Sequence, residues 1–342
     1  MFAHRYGFSC ETCHTVVPQL NPFGQAFLRA GFRIPNLRAN GSVFPVAVKT
    51  NIAYSSLNTP DNLPKTILDE LEFLAGGPLG KQFSYRLEQY GIDGGRPGLT
   101  RDAWLRFTTN PTLEPRAALR MLAGQFTLPL LIDPETMRES LQHYAAFDQT
   151  VGGNPFTFFA PKTGADIALG NEQSGVDAHV VFALGHDTQS GLPVSGWDRM
   201  LVSQYAQGSA VVSAYRYDGH RPLGAVADTF WRQGLAASIT LGKLRVDLLS
   251  QDGGDSSADG AGLALQSSGG FIQTHWQLSP LWSSVVRYDN ANVFNARHAA
   301  GTHAIIVSVI RKLWRNSRFT LEGVTSRPPA QRVLNAALLV AY

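Results

Sequence analysis

Residues 43–342 are dominated by short segments in which apolar and polar side chains alternate. "FSYRLEQY" (83–90), "LRVDLLS" (244–250) and "RFTLEG" (318–323) each place apolar side chains on one face and charged side chains on the other. A period of two residues is typical of β-strands with two unlike faces. The pattern predicts an all-β body, either a soluble sandwich with an apolar core or a barrel with an apolar exterior.

The lengths of the connections between these segments favour the barrel. Seven short turns alternate with eight longer polar loops, so sixteen strands are expected. Short turns at one end and long loops at the other are typical of bacterial outer-membrane barrels, which have an even number of strands. We therefore predict a transmembrane antiparallel β-barrel of about 16 strands. The short turns are expected at 76–80, 110–112, 171–175, 206–209, 241–243, 279–281 and 313–317, and the long loops at 58–66, 92–100, 128–163, 186–198, 217–227, 250–262, 290–302 and 326–331.

The last strand candidate also fits a barrel. In "RVLNAALLVAY" (332–342) every second residue from Leu334 to Tyr342 is apolar, and an aromatic residue closes the pattern. This arrangement resembles the terminal β-signal of outer-membrane proteins. Aromatic residues expected in girdles at the membrane interfaces are Trp104, Trp276, Trp282 and Tyr288.

Composition limits the remaining classes of protein. The chain is 44% hydrophobic but contains no run of 18 apolar residues, which argues against a transmembrane helix and leaves a barrel open. A net charge of +3 gives no case for nucleic-acid binding. The first nine residues lack the apolar core of a signal peptide, so we expect that a leader precedes this numbering. Both ends of an even-stranded barrel are expected on the periplasmic side.

Residues 9–14, "SCETCH", contain both cysteines of the chain, directly followed by a histidine. A zinc site needs four ligands, and no second cysteine pair exists. A redox dithiol is expected within a βαβ unit, which the flanking sequence does not suggest. Cys-x-x-Cys-His is the signature of c-type haem attachment. We predict that Cys10 and Cys13 form the thioethers of one covalent haem c and that His14 is the proximal iron ligand.

A short helix is predicted directly after this motif. Asn21 and Pro22 form an N-cap and first-turn proline, and Gly31 is the expected stop. A segment of about forty residues buries too little apolar surface to fold well alone, so a porphyrin face would complete its core. The alternative is that its phenylalanines pack on a neighbouring domain. The side chains expected to cover the porphyrin are Phe8, Leu20, Phe23 and Phe27.

The long connection 128–163 has helical character. Asp133 and Pro134 repeat the helix start signal, and Met137, Leu141 and Tyr144 follow at helical spacing. By strand parity the connection starts at the outer rim of the barrel. It is expected either to fold inward and narrow the channel or to form a surface loop.

Taken together, "CETCH", the following "PQLNPFGQAF" and the barrel resemble the fused outer-membrane cytochrome-porins of iron-oxidising bacteria over the whole chain. The resemblance implies a haem segment (1–42) that plugs an outer-membrane barrel (43–342). It implies electron transfer between the cell exterior and a periplasmic c-type cytochrome or other soluble carrier, with extracellular Fe(II) as donor and thus Fe(II) oxidase activity. It also implies that the Pro18 carbonyl accepts a hydrogen bond from the His14 ring.

The family resemblance does not identify a distal iron ligand in this chain, because no methionine lies between residues 2 and 120. The candidates are Met121, Met137, His143 and His4. A distal water or an open iron would instead make the site a binder of small ligands, as in a sensor or an enzyme.

A second alternative is a solute-diffusion porin in which the haem segment is a structural plug. Its lumen would be lined by polar side chains such as Arg86, Glu88, Arg245 and Asp247. Under the electron-transfer hypothesis, the lumen carboxylates expected either to attract Fe(II) or to pair with nearby arginines are Glu70, Glu72 and Glu88.

Overall fold

A computed structural model describes residues 2–34, 37, 46–57, 64–186, 193–223, 225–295, 299–328 and 330–342. Its first part is a small N-terminal segment, residues 2–34. The predicted domain boundary at 42/43 lies outside the described residues. Among the described residues, no helix is both long and apolar enough to cross a membrane. The segment contains α1 (Phe2–Tyr6), a 3-10 turn (Cys10–Thr12), β1 (His14–Val16), β2 (Gln19–Leu20) and α2 (Pro22–Arg29).

The second part is a closed antiparallel barrel. Each strand pairs with its neighbours in sequence, and the last strand pairs with the first barrel strand. Within the described ranges sixteen long strands form the wall, and the two-residue β6 extends one connection. The predicted fold class is therefore confirmed. The strands are β3 (Val46–Ser55), β4 (Thr66–Leu79), β5 (Phe83–Asp93), β6 (Arg96–Pro97), β7 (Thr100–Thr108), β8 (Ala118–Phe126), β9 (Lys162–Gly170), β10 (Gly175–His186), β11 (Pro193–Gln207), β12 (Ala210–Arg221), β13 (Asp228–Leu241), β14 (Leu244–Asp255), β15 (Leu265–Gln277), β16 (Trp282–Phe294), β17 (Ala299–Trp314), β18 (Ser317–Arg327) and β19 (Gln331–Ala341).

The two faces of the strands meet different surroundings. Leu87 exposes 44% of its surface on the outside of the barrel, whereas the next residue, Glu88, exposes 4% on the inside. Leu248 and Asp247 repeat this contrast on β14. A soluble sandwich would bury the apolar face and expose the charged one. The apolar exterior and the closed wall are those of a barrel that spans the bacterial outer membrane.

The short connections lie together at one end of the barrel. Most fall where they were predicted, with two exceptions. The turn predicted at 110–112 is the longer connection 109–117, because β7 ends at Thr108 and β8 starts at Ala118. The turn predicted at 76–80 was wrong, because β4 continues to Leu79 and the turn follows at residues 80–82. Gly80 adopts φ +68°, which favours glycine in such a turn. Several long loops are shorter than predicted, since strands such as β12 and β14 extend into them. The short connections are 80–82, 109–117, 171–174, 208–209, 242–243, 278–281 and 315–316.

Exposed aromatic side chains gather at this short-turn end. Trp276, Trp282, Trp314 and Tyr342 all point outward there, as an interfacial girdle requires. Tyr288 is also exposed, further along β16. Trp104 was wrongly predicted in this girdle. It points inward and is buried, because its place on β7 brings it against an aromatic ring of the N-terminal segment.

The apolar exterior generates a prediction on β19. Leu338 faces outward, whereas Asn335 lines the lumen. Arginine at position 338 would meet lipid, so Leu338→Arg is expected to cost roughly 2–4 kcal/mol of stability. Asn335→Arg should cost much less, because its side chain stays in the polar interior. Urea titration of each variant folded in lipid vesicles measures the difference, and equal costs would contradict the orientation of β19.

Candidate functional site

The N-terminal segment lies inside the mouth of the barrel formed by the short turns. The Arg29 guanidinium donates to the Leu113 carbonyl and to Gln173 Oε1, both at 3.1 Å. Arg33 donates to the Gly80 carbonyl at 2.8 Å. These acceptors belong to three different short turns or their flanks. The segment is thus fastened around the rim on the predicted periplasmic side.

Asn21 joins α2 to the cysteine motif. Its Oδ1 accepts the Gly24 N–H at 2.9 Å, which confirms the predicted N-cap. Its Nδ2 donates to the Glu11 and Thr12 carbonyls at 3.1 Å, and its own N–H donates to the Cys13 carbonyl at 2.9 Å. One side chain therefore fixes the start of α2 against the turn that carries both thiols.

Gly24 allows the close contact between α2 and the motif. A Cβ at this position would lie 2.1 Å from the Cys13 carbonyl oxygen and 3.0 Å from Leu20 Cδ2. A backbone oxygen cannot move aside as a flexible side chain can. The sequence signal for this contact is a glycine in the first turn of a predicted helix, and the N-cap and proline pattern alone does not identify it.

The structure places the His14 ring as the family resemblance implied. Its Nδ1 lies 3.0 Å from the Pro18 carbonyl oxygen, so Nδ1–H donates and Nε2 is left with its lone pair. Burial lowers the pKa of His14, and the hydrogen bonds to the Pro18 and Gln19 backbone only partly oppose it. Burial also raises the pKa of the Cys13 thiol, and the neighbouring Cys10 raises it further by a smaller amount. The neutral imidazole is the form that can bind a metal.

Both cysteines and His14 line one cavity of about 270 Å³ between the segment and the barrel wall. One side of it is apolar and belongs mainly to the segment: Leu20, Phe27, Leu28 and Phe32. Phe8 and Phe23 instead pack against each other, 6.3 Å between ring centroids, and do not line it. The opposite side carries charged residues from the wall and one loop residue: Lys49, Glu72, Arg86, Glu88 and Glu135.

The charged groups on that side are already paired. Lys49 Nζ lies 3.1 Å from Glu70 and also contacts Glu72. Arg86 lies 3.1 Å from Asp102 and contacts Glu88. The three carboxylates considered as Fe(II) attractors therefore neutralise buried cations of the wall.

A second cavity, of about 320 Å³, adjoins the first. The two share Pro18, Lys49 and Glu135 in their linings. Burial alone would raise the pKa of Glu135, but Arg101 and Arg138 hold it at about 2. The second cavity follows the lumen along β3 and β4 towards the long loops. The two cavities therefore adjoin inside the lumen, and the first of them ends at the cysteine motif.

The connection between β8 and β9, residues 127–161, folds into the barrel. The N–H groups of Leu141 and Gln142 donate to the Glu322 carboxylate at 2.7 and 2.8 Å. The Ala145 N–H donates to Asp289 at 2.9 Å. Of the two predicted placements, the inward one is present.

The helix predicted from Asp133 is wrong. Asp133 Oδ1 does accept the Glu135 and Thr136 N–H groups, as an N-cap would, but the chain then turns away to reach the opposite wall. The helix found in the connection is the short α3, Ala145–Asp148. Tyr144 stacks on Phe271 at 4.4 Å, so aromatic packing fills the lumen on this side.

None of the distal-ligand candidates with a described side chain reaches the cavity. Met121 points outward from β8 and is 46% exposed. Met137 packs against the aromatic core of the lumen. His143 pairs with Asp148 at 2.9 Å and lines the second cavity. The side chain of His4 lies outside what the structure describes.

Fold and lumen together define a transmembrane barrel of the porin type, with an inward-folded connection and an N-terminal segment in its mouth. No family model and no curated protein matches the sequence. Solved structures do match. The anion-selective porin from Comamonas acidovorans superposes with a TM-score of 0.65 at 14% identity, over 87% of this chain and 98% of that chain.

Two further barrels give similar values. OmpF of Salmonella typhi, solved as a complex with daunomycin, has a TM-score of 0.61 at 8% identity, covering 87% of this chain and 96% of that chain. The channel DcaP of Acinetobacter baumannii has a TM-score of 0.57 at 11% identity, with the same coverage. At these identities the likeness establishes the porin fold.

The contact between Gly24 and Cys13 generates a prediction about the segment. Gly24→Ala forces a Cβ onto the Cys13 carbonyl and should destabilise residues 2–34 by about 1–3 kcal/mol. Limited trypsin digestion should then cleave at Arg29 or Arg33 faster than in the unaltered protein. Gly323→Ala is the matched control, because no atom lies within 4 Å of the added Cβ. Equal cleavage in both variants would contradict the packing of α2.

The Glu322 contacts generate a prediction about the lumen. Glu322→Ala removes the acceptor for the Leu141 and Gln142 N–H groups and should cost about 1–3 kcal/mol for each group left unpaired. We expect connection 127–161 to become sensitive to protease and single-channel conductance to rise. Glu114→Ala, in an exposed turn, should change neither. Unchanged conductance with Glu322→Ala would mean that other contacts hold the connection.

Proposed function

We propose that this chain is an outer-membrane electron-transfer protein that carries one covalent haem c on Cys10 and Cys13, with His14 as iron ligand. The observation that carries the proposal is the cavity in which both thiols and the His14 ring converge inside the barrel. Cys-x-x-Cys-His at this place is the specific signature for such an attachment.

The residues present fit this cofactor chemically. The two thiols would form the thioethers, and His14 Nε2 is free to ligate because Nδ1 is held by Pro18. Leu20 and Phe27 supply an apolar surface for a porphyrin. Haem c, when bound, supplies a one-electron Fe(III)/Fe(II) couple.

The position of the site limits how electrons can cross. The apolar band of an outer-membrane barrel is about 25 Å tall, so one cofactor near the short turns does not reach both aqueous phases. An external donor would approach through the lumen cavities, and a periplasmic c-type cytochrome or similar carrier would approach at the short-turn mouth. We propose Fe(II) as the donor, on the family resemblance.

Haem attachment is tested on denatured protein. The unaltered chain should keep a haem-staining band. Cys13→Ala should weaken it sharply, because one of the two thioethers can no longer form, and Cys10→Ala with Cys13→Ala should lose it. Oxidised holoprotein in detergent should then be reduced by Fe(II) near neutral pH. A band without haem would refute covalent haem attachment. Reduction by dithionite but not by excess Fe(II) would refute only the claim that Fe(II) is the electron donor.

The comparisons support a second candidate better than they support the first. Of the matching structures named above, the Comamonas acidovorans protein is an anion-selective porin and DcaP is an outer-membrane channel, and the second cavity of this chain follows the lumen. In this candidate the chain conducts small polar solutes, and the N-terminal segment is a structural plug. Conductance of protein in planar bilayers, with a redox-silent segment, would favour it over electron transfer.

A further inference from the structure

Two groups of basic side chains flank the part of the rim that encloses the cysteine cavity. Arg5, Arg33 and Lys81 lie beside the β4–β5 turn, where Arg33 donates to the Gly80 carbonyl and Arg5 Nη1 lies 3.7 Å from a Cβ built on Gly77. Lys312 and Arg315 lie at the β17–β18 turn. The cavity wall runs between these two turns, from β5 through β3 to Asn316.

The second basic group reaches the motif itself. A cleft between the segment and the β17–β18 turn is lined by Cys10, His14, Lys312 and Arg315, with Glu11 as its acidic member. Two cationic side chains therefore lie beside the solvent-facing side of Cys10.

Two other cations of the same rim are paired with carboxylates. Arg116 lies 2.5 Å from Glu114, and Arg120 lies 3.0 Å from Glu172. By contrast, the flanking groups Arg5, Arg33, Lys81, Lys312 and Arg315 form no ion pair with a carboxylate within the described part of the chain. Five cations without a carboxylate partner among the described residues therefore flank the cysteine cavity.

We propose that these two groups of basic side chains bind a soluble redox protein with an acidic face, at the periplasmic mouth of the barrel. The proposal rests on the proposed electron-transfer function and adds the chemistry by which the partner is recognised. Opposite charges steer a partner to the face they surround and raise its rate of association. A bound haem would supply one electron to this acceptor and would be left oxidised, with no bond made or broken.

The test uses holoprotein in detergent, reduced with dithionite and freed of reductant. It is mixed with either of two small c-type cytochromes of similar potential, one with an acidic and one with a basic face around its haem edge. At low ionic strength the acidic acceptor should oxidise the protein at least tenfold faster, and high salt should abolish the difference, because exposed charges are then screened.

The decisive variant is the double charge reversal Lys312→Glu with Arg315→Glu. It should remove the advantage of the acidic acceptor at low salt. The reduction potential of each variant is measured as well, so that a change in driving force is separated from a change in docking. Lys243→Glu is the matched control, since Lys243 is also exposed at the short-turn end but lies in the β13–β14 turn. Its rates should stay within about twofold of the unaltered protein.

Two results would overturn the proposal. One is a rate that does not respond to salt, with the double variant equal to the control. The other is a double variant that slows both acceptors alike and loses preference for vesicles with anionic phospholipid, which would assign the basic groups to lipid. Protein without reducible haem is recognised before mixing and would refute the underlying electron-transfer function as well.

Discussion

The structure depends on one constraint: a chain that crosses a bilayer by strands must pair every backbone N–H and C=O group within itself. Pairing of β19 with β3 meets it, because no strand edge is left to face lipid. In a closed wall, successive side chains of each strand must face either the lipid or the lumen. Apolar groups face lipid, and charged groups face a lumen that water and inserted segments share.

Inside that lumen, charge is balanced locally. Lys49 is held between Glu70 and Glu72, and Arg287 donates to the Gln142 and His143 carbonyls of the inserted connection. Buried charges need such partners, since an unpaired one is costly. The inserted connection is therefore fixed by the same polar side chains that line the wall. The cysteine motif is held differently, by backbone contacts through Asn21 and by the close approach at Gly24.

Much of this could be predicted from local sequence. The two-residue period gave the strands and their faces, and the Asn21–Pro22 pair gave α2, because both signals act between near neighbours. Connection 127–161 has no such period. Its path is set by Glu322 and Asp289, which are more than 140 residues away in the chain. The prediction for Trp104 was wrong for the same reason. Strand alternation predicts which residues share a face of the sheet, but it does not predict which segment packs against that face.

Glycines in the wall were misread as turn signals. Gly76 lies within β4, where an added Cβ would lie 3.1 Å from the Tyr85 carbonyl oxygen of the neighbouring strand and 3.4 Å from a ring carbon of Phe32. It therefore leaves room both for β5 and for a ring of the N-terminal segment. A glycine that gives room to a distant ring and one that turns the chain look alike in sequence.

The seam of the barrel has a consequence for assembly. Ala47 and Val48 of β3, with Ala341 and Tyr342 at the end of β19, belong to the wall of the cysteine cavity. The seam between the first and last barrel strands is thus also a part of the cavity wall. Closure of the barrel at this seam therefore completes one side of the cavity that holds the cysteine motif.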